Sequence, residues 1–241
     1  NRYAPFPLTD VQQAYWIGRT DMFAYGGVGT HGYTEIYAPE LDIARFTAAL
    51  QAMIGRHEML RMVVTRAGEQ RVLEEVPPYA VRVLDLRGYP EAEGDALFYA
   101  QREELSHQVF TGDSWPLFDI RVTVFRDGTR KVHYSMDALI MDVGSSIIVS
   151  QEFGRLYQDL GAELAPIRVS FRDYVLAEVG LRGTGLFEKS KRYWLDRVDG
   201  IPPAPELPVV AVRKGKPTFD RRRSLVERVL WDRLQERAKG L

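Results

Sequence analysis

Residues 118–137 read FDIRVTVFRDGTRKVHYSMD and carry the clearest indication of the fold. Apolar and polar residues alternate on both sides of Asp127-Gly128, which is the period of a β-strand with two different faces. Asp-Gly is typical of the tight turn in a β-hairpin. The stretch therefore predicts two antiparallel strands, with His133 and Asp137 on the polar side of the second strand.

Outward from this hairpin, strand and helix patterns mix along the chain. Alternation predicts a further strand at 31–38 and a second hairpin from 61–66 and 70–76. Apolar residues at helical spacing predict helices at 11–18, 43–55, 91–107, 149–160, 170–180, 186–198 and from about 230. Because the two kinds of element mix without a regular strand–helix–strand repeat, we expect an α/β fold with a mixed sheet flanked by helices.

The composition is that of an ordinary globular protein. Of 241 residues, 45% are hydrophobic, and 32 basic side chains nearly balance 33 acidic ones. The balance argues against a nucleic-acid-binding surface, and no apolar run has the length of a membrane span. The chain has no Cys and four His, none at the spacing of a helical metal pair. We therefore expect no thiolate chemistry and no metal site.

A proline-rich segment divides the chain. Residues 201–211 cannot form a helix or a central strand, so we expect a linker there. Residues 1–200 then form one lobe, and 212–241, with ten basic and four acidic side chains, begin a second lobe. A strand near 219–229 is expected in that second part. The chain begins without Met and stops inside a helical pattern, so we expect a piece of a longer protein, truncated within the second lobe.

Two carboxylates and a hydroxyl lie where the strand ending at Asp137 meets the next helix. Asp142 and Ser145 stand at the start of that helix, where such side chains commonly cap free backbone N–H groups. In α/β folds the same junctions hold ligands, and paired carboxylates carry out acid–base chemistry when burial separates their pKa values. For Asp142 and Ser145 the pattern favours capping. For Asp137, which ends an apolar strand and needs a partner or a polar cavity, a functional and a structural role are equally open.

The spacing Asp137-x4-Asp142-x2-Ser145 resembles the DxxxxDxxS signature of heterocyclization domains in nonribosomal peptide synthetases. These domains are relatives of condensation domains, whose corresponding motif is HHxxxDG. Three residues are a short match, so the agreement of the other segments decides whether the resemblance is specific.

Further segments match the family in the right order. Residues 6–19, FPLTDVQQAYWIGR, resemble its opening motif FPLTxxQxAYxxGR at every fixed position. Residues 56–61, RHEMLR, resemble its RHxxLR segment, and 193–194 and 207–208 resemble its later YW and LPxxP elements. The resemblance covers essentially the whole chain.

The resemblance implies a fold like that of chloramphenicol acetyltransferase, with two lobes in a V and a tunnel between them. Each end of the tunnel admits a phosphopantetheine arm. The implied reaction joins a carrier-bound acyl thioester to carrier-bound Cys, Ser or Thr and then cyclodehydrates the product to a thiazoline or oxazoline. No cofactor is bound by the chain itself, because donor and acceptor peptidyl carrier proteins supply the phosphopantetheine. An adenylation domain is a further implied partner in the assembly line.

The resemblance also implies residue roles. Asp137 aligns with the first His of HHxxxDG and is expected to act in catalysis by orienting the amine or the hydrated intermediate. Ala138 stands where the second His, the usual candidate base, is absent. Asp142 is expected to form a buried ion pair with Arg61 that supports the motif. Ser145 is expected to cap the helix or line the tunnel, and Asp137, Asp142 and Ser145 together are the candidate catalytic residues that the resemblance implies.

Two other functions stay open at this point: a carrier-protein interaction module without chemistry, and an ordinary condensation domain without cyclization. The missing HHxxxDG motif argues against the second. The family's cyclodehydration residues are expected in the C-terminal lobe, so this fragment alone should not complete the reaction. His133 is expected to face the tunnel or solvent. Without a signal-like segment the protein is expected in the cytoplasm, with no nucleic-acid or membrane partner, in antibiotic or siderophore biosynthesis.

Overall fold

The structure is a computed structural model that describes residues 1–20, 26–203, 206 and 224–240. The described helices are α1 (Asp10–Gly18), α2 (Ile43–Arg56), α3 (Glu91–Ser106), α4 (Val143–Gln158), α5 (Phe171–Leu181), α6 (Gly185–Leu195) and α7 (Arg228–Lys239). The described strands are β1 (Phe6–Pro7), β2 (His31–Tyr37), β3 (Met62–Val64), β4 (Glu69–Val72), β5 (Arg82–Asp85), β6 (Phe118–Val124) and β7 (Arg130–Asp137).

The larger sheet has the strand order β2-β7-β6-β5. The predicted hairpin forms its centre, and Gly128 in the turn has a φ of 83°, a left-handed conformation that favours glycine. Strands β2, β7 and β6 are antiparallel, whereas β5 pairs with β6 in parallel. The predicted mixed α/β fold is therefore confirmed. In this sheet Asp137, the last residue of β7, lies opposite His31 of β2.

The smaller sheet is antiparallel and has the order β1-β4-β3. Phe6 of β1 lies opposite Gln70 of β4. Helix α1 follows β1 almost at once, because Thr9 caps it through a capping box with Gln12. This short connection fixes the opening segment, and with it α1, against the smaller sheet.

The main apolar core lies between one face of the larger sheet and helices α2 and α4. Phe46 of α2 contacts Phe153 of α4 with ring centroids 5.1 Å apart, and it meets Tyr134 of β7 at 6.4 Å. Asp42 begins α2 by accepting the N–H of Arg45 at 3.0 Å. The helix then buries an apolar stripe at three- and four-residue spacing, which matches its sequence pattern.

The opposite face of the larger sheet is covered by α3. Phe98 of α3 packs against the imidazole of His133, with ring centroids 5.7 Å apart. His133 is fully buried, so the expectation that it faces a tunnel or solvent is wrong. The cause is α3, which lies across the polar side of β7 and removes it from water.

The second-lobe predictions fall largely outside the described residues. Residues 201–203 form neither helix nor strand, and most of 204–223 is not described. The strand expected near 219–229 is wrong at its described end, where 224–227 are irregular and α7 begins at Arg228. Val226 and Leu230 are four residues apart, which is a helical spacing. Among the described helices, none is both long and apolar enough to cross a membrane.

Candidate active site

The motif loop, residues 137–142, joins the end of β7 to the start of α4. Asp137 is the last residue of β7, and Asp142 is the N-cap of α4. Ile140 donates its N–H to the carbonyl of Asp137 at 3.2 Å, which turns the chain immediately after the strand. The two acidic residues of the motif are thus held by regular elements on either side of a short turn.

Asp137 forms an ion pair with Arg19 inside the protein. Arg19 Nη2 lies 2.7 Å from Asp137 Oδ1, and the two side chains are 7% and 0% exposed. The same oxygen accepts the N–H of Leu139 at 2.9 Å, and Arg19 Nη1 donates to the carbonyl of Phe110 at 2.8 Å. Asp137 Oδ2 has no hydrogen-bond partner among the described residues. The pair links the end of α1 to the motif loop.

This buried pair matters more for the specific arrangement of the loop than for net stability. Taking two charges out of water costs several kcal/mol per ion, and their attraction offsets that cost only in good geometry. Removing one partner leaves the other charge buried and costs about 3–5 kcal/mol. Arg19 and Asp137 therefore depend on each other.

The sequence indicated that Asp137 needs a partner but did not identify Arg19. The two residues are 118 positions apart, so no local pattern joins them. Arg19 is nevertheless the one basic residue of the opening motif at 6–19. That isolated cation in an otherwise uncharged or acidic motif is the signal from which the pair could have been found.

The predicted ion pair between Asp142 and Arg61 is wrong. Arg61 lies in the 3-10 turn after α2 and donates to the carbonyls of Ile54, Gly55 at 2.7 Å and Leu73 at 3.0 Å. The last carbonyls of a helix lack intrahelical partners and carry partial negative charge, which attracts a cation. Arg61 therefore secures the end of α2 rather than the motif loop.

Asp142 caps α4 at the protein surface. Its Oδ1 accepts the N–H of Ser145 at 2.7 Å, and both residues are exposed. Hydrogen bonding from Ser145, through its side chain and its backbone N–H, lowers the pKa of the Asp142 carboxyl. The cap favoured by the sequence is formed by Asp142, and Ser145 is the residue that it caps. The catalytic assignment of both residues stays a prediction.

A buried polar cluster lies beneath α3, on the same side of β7 as Asp137. His133 Nδ1 is 2.8 Å from the hydroxyl of Tyr33, and His133 Nε2 is 2.8 Å from Thr123 Oγ1. Gln101 of α3 donates to the same Thr123 oxygen at 3.0 Å. Burial lowers the pKa of His133 to about 4, so its imidazole is neutral at neutral pH. It acts here as a hydrogen-bonding group of the interior.

The motif loop holds a carboxylate that is fixed inside the protein. Asp137 is buried and is joined to Arg19 and to the N–H of Leu139, so it orients the loop. Within the part of the chain that the structure describes, no three His, Asp or Glu side chains are grouped as a metal site requires.

Known proteins are similar to this chain over almost its whole length. The chain matches the family described as Condensation domain over residues 6–239. It is 36% identical to bacitracin synthase 1 of Bacillus licheniformis, over 99% of this chain and 5% of that protein. It is 35% identical to pyochelin synthetase PchF of Pseudomonas aeruginosa, over 97% of this chain and 13% of that protein. It is similar to the solved cyclization-docking bidomain of the nonribosomal peptide synthetase EpoB from Sorangium cellulosum, with a TM-score of 0.88 and 29% identity over 99% of this chain and 48% of that one.

The chain belongs to the condensation-domain family. The resemblance to the condensation-domain superfamily, seen in the motifs at 6–19 and 137–145, is confirmed, and the similar proteins include a nonribosomal peptide synthetase cyclization-docking bidomain. The chain spans about half the length of the solved EpoB bidomain and a small part of the two curated relatives, which are much longer proteins.

Proposed function

We propose that this chain is the motif-bearing lobe of a heterocyclization domain. Together with a second lobe, it joins a carrier-bound acyl or peptidyl thioester to carrier-bound Cys, Ser or Thr and cyclodehydrates the amide. The observation that carries the proposal is the motif loop, in which Asp137 is paired with Arg19 and followed by Ala138. The similarity to the EpoB cyclization-docking bidomain supports it independently.

The proposed reaction has two steps. In the first, the amine of the acceptor amino acid attacks the thioester carbonyl, an amide bond forms, and the donor's phosphopantetheine thiol leaves. In the second, the side-chain thiol or hydroxyl attacks the new amide carbonyl, and one water is lost as the ring forms. Because the thioester is already activated, holding the two tethered reactants together can supply much of the rate of the first step.

In this proposal Asp137 is a positioning group. Its side chain is buried and joined to Arg19 and to the N–H of Leu139, so it sets the conformation of the motif loop. Asp142 sets the start of α4 through its cap on Ser145. The partners are donor and acceptor peptidyl carrier proteins and an adenylation domain in a cytoplasmic assembly line, with residues 1–200 as one lobe and 212–241 as the start of the next.

The test uses the domain extended to the full length of a condensation-family domain. An acyl-loaded donor carrier and a Cys-loaded acceptor carrier are supplied, and the acceptor-bound product is followed by intact mass. We expect a condensed product that then loses one water. Asp137→Ala should lower kcat by about tenfold or more per folded molecule, since a misplaced loop displaces the reactants. Asp85→Asn, whose exposed carboxylate pairs with Arg87 and makes no hydrogen bond to the motif loop, serves as the matched control.

Three outcomes separate the candidate functions. Condensation followed by loss of water supports the proposal. Condensation without loss of water assigns an ordinary amide-forming condensation domain. Binding of loaded carriers without any product assigns an interaction module, and either of the last two results overturns heterocyclization.

A further inference from the structure

Two buried glutamines lie between α1 and the smaller sheet. Gln12 of α1 is 6% exposed and Gln70 of β4 is 0% exposed. Their side-chain amides pair reciprocally: Gln12 Nε2 donates to Gln70 Oε1 at 3.0 Å, and Gln70 Nε2 donates to Gln12 Oε1 at 2.8 Å. Buried amides need such partners, because an unpaired polar group in the interior is costly.

Each amide group has a second N–H, and the two groups donate it to different parts of the protein. Gln70 Nε2 donates to the carbonyl of Pro7 in β1 at 2.9 Å. Gln12 Nε2 donates to the carbonyl of Leu139 in the motif loop at 2.8 Å. Since an amide group has two N–H donors, both side chains are fully used. The pair therefore connects the smaller sheet to the motif loop.

Both backbone polar groups of Leu139 form hydrogen bonds. Its N–H donates to Asp137 Oδ1 at 2.9 Å, and its carbonyl accepts from Gln12. The leucine side chain is itself buried. If Gln12 stopped donating, the carbonyl of Leu139 would be left unpaired in the interior, and rotation of that residue toward another donor would strain the bond to Asp137.

We infer that Gln12 is a positioning residue for the motif loop, acting through the carbonyl of Leu139, and that Gln70 orients it. The inference deepens the proposed function and rests on it for the kinetic consequence. Gln12 sits on the same helix that ends next to Arg19, so α1 holds the loop at two points, at the Asp137 carboxylate and at the Leu139 carbonyl.

The test compares three substitutions in the extended domain, each removing one glutamine amide in favour of an apolar side chain of similar length. Gln12→Met removes the donor to Leu139 and also the oxygen that accepts the N–H of Thr9 at 3.0 Å in the capping box of α1. Gln70→Met removes the amide pair but leaves Gln12 able to donate to Leu139. Gln51→Met is the control, because Gln51 accepts the N–H of Tyr79 at 2.8 Å and does not contact the motif loop.

We expect Gln12→Met to lower kcat by about 10- to 100-fold per folded molecule with little change in the KM of either loaded carrier. Gln70→Met should lower kcat less, and Gln51→Met should leave it unchanged. Equal kcat losses in Gln12→Met and Gln70→Met would overturn the inference and make the pair a structural link. So would a loss confined to KM.

Amide hydrogen exchange of Leu139 gives a readout that does not depend on turnover. In Gln12→Met the N–H of Leu139 should exchange faster, relative to the core strands β6 and β7, than in Gln51→Met. Unchanged protection would overturn the inference. If the unsubstituted domain makes no product while Leu139 loses protection in Gln12→Met, the proposed function fails and the positioning role stands. If Gln12→Met does not fold, Gln12→Leu is measured in the same way.

Discussion

On the two central strands of the larger sheet, β6 and β7, both faces are largely buried, yet the two faces have opposite chemistry. The face toward α2 and α4 is apolar, and its buried residues on β6 and β7 are Phe118, Ile120, Val122, Val124 and Val132. The face toward α3 is polar, and its buried residues on the same strands are Asp119, Arg121, Thr123, His133, Ser135 and Asp137. An alternating sequence pattern therefore shows that a strand has two chemically different faces. It does not show which of those faces is exposed to solvent.

The two faces are stabilised by different physical causes. On the apolar face, removing hydrocarbon from water is favourable for any shape that fits. On the polar face, each group needs a partner with the right geometry, because burial alone is unfavourable. Helix α3 supplies these partners: Gln101 donates to Thr123, and Arg121 donates to Glu104 at 2.9 Å.

Glu35 of β2 lies at the edge of the polar face, opposite His133 of β7. Burial raises the pKa of Glu35, but hydrogen bonds from Arg102, Lys131 and Tyr33 outweigh that effect and bring the pKa to about 2. Arg102 Nη2 and Lys131 Nζ lie 2.8 Å and 3.0 Å from Glu35 Oε2. The charges of the polar face are thus paired across β2, β7 and α3.

The largest effect should come from breaking the buried ion pair. Arg19→Met should lower the free energy of unfolding by about 3–5 kcal/mol, because it leaves the carboxylate of Asp137 buried without its cation. Urea unfolding of the extended domain measures this. Arg87→Met is the control: Arg87 and Asp85 form an exposed ion pair at 2.6 Å, and such pairs contribute little to stability. Equal losses in the two variants would contradict the prediction.

The free energy of unfolding should depend on pH through His133, with an effect of about 3 kcal/mol. The pKa of His133 is about 4 in the folded protein and 6.5 in a model peptide, so below pH 6.5 the unfolded chain binds more protons than the folded one. Stability from this group is present in full above pH 6.5 and is lost as the pH falls toward 4, by about 3 kcal/mol at 1.36 kcal/mol per unit. Urea unfolding at pH 7 and pH 4 measures the loss.

His133→Gln separates this contribution from that of the carboxylates. Glutamine retains hydrogen-bonding capacity for Tyr33 and Thr123 but does not titrate. The variant should therefore lose less stability than the unsubstituted protein over the same pH interval. Identical pH slopes in the two proteins would show that His133 does not contribute.

The smallest effect on stability should come from exchanging an apolar and a polar side chain at two neighbouring positions of β6. Val122→Thr places a hydroxyl on the apolar face, and Thr123→Val removes one from the polar face, leaving Gln101 and His133 without their shared partner. Each change should cost about 1–3 kcal/mol in the free energy of unfolding. Thermal or urea unfolding checks both. A neutral Thr123→Val would show that the polar face does not need its hydrogen bonds.

Much of the fold could be predicted because its signals are local. Thr9 and Asp42, which directly precede apolar stripes, cap α1 and α2, and Gly128 makes the hairpin turn. The family motifs located the site at 137–145. No local pattern joins the partners of that site, because Arg19 and Gln12 lie more than a hundred positions from the residues that they contact.

The prediction that failed at Arg61 has the same cause. The family resemblance implied Arg61 as the cation for Asp142, but the turn after α2 brings it to the carbonyls of Ile54 and Gly55 instead. A long, flexible guanidinium pairs with whichever acceptors the backbone places within reach. Only the path of the chain determines which acceptors those are.

Sequence pattern alone was sufficient for most of the helices, the two hairpins, the cap at Asp142, the two chemically distinct faces of the central hairpin and the family motif. These depend on interactions within a few residues, where backbone period and side-chain type are sufficient. The tertiary structure decided that α3 covers the polar face, that Arg19 holds Asp137, and that Gln12 holds Leu139. Those outcomes depend on which distant groups are brought together as water is excluded, and burial makes each pairing obligatory.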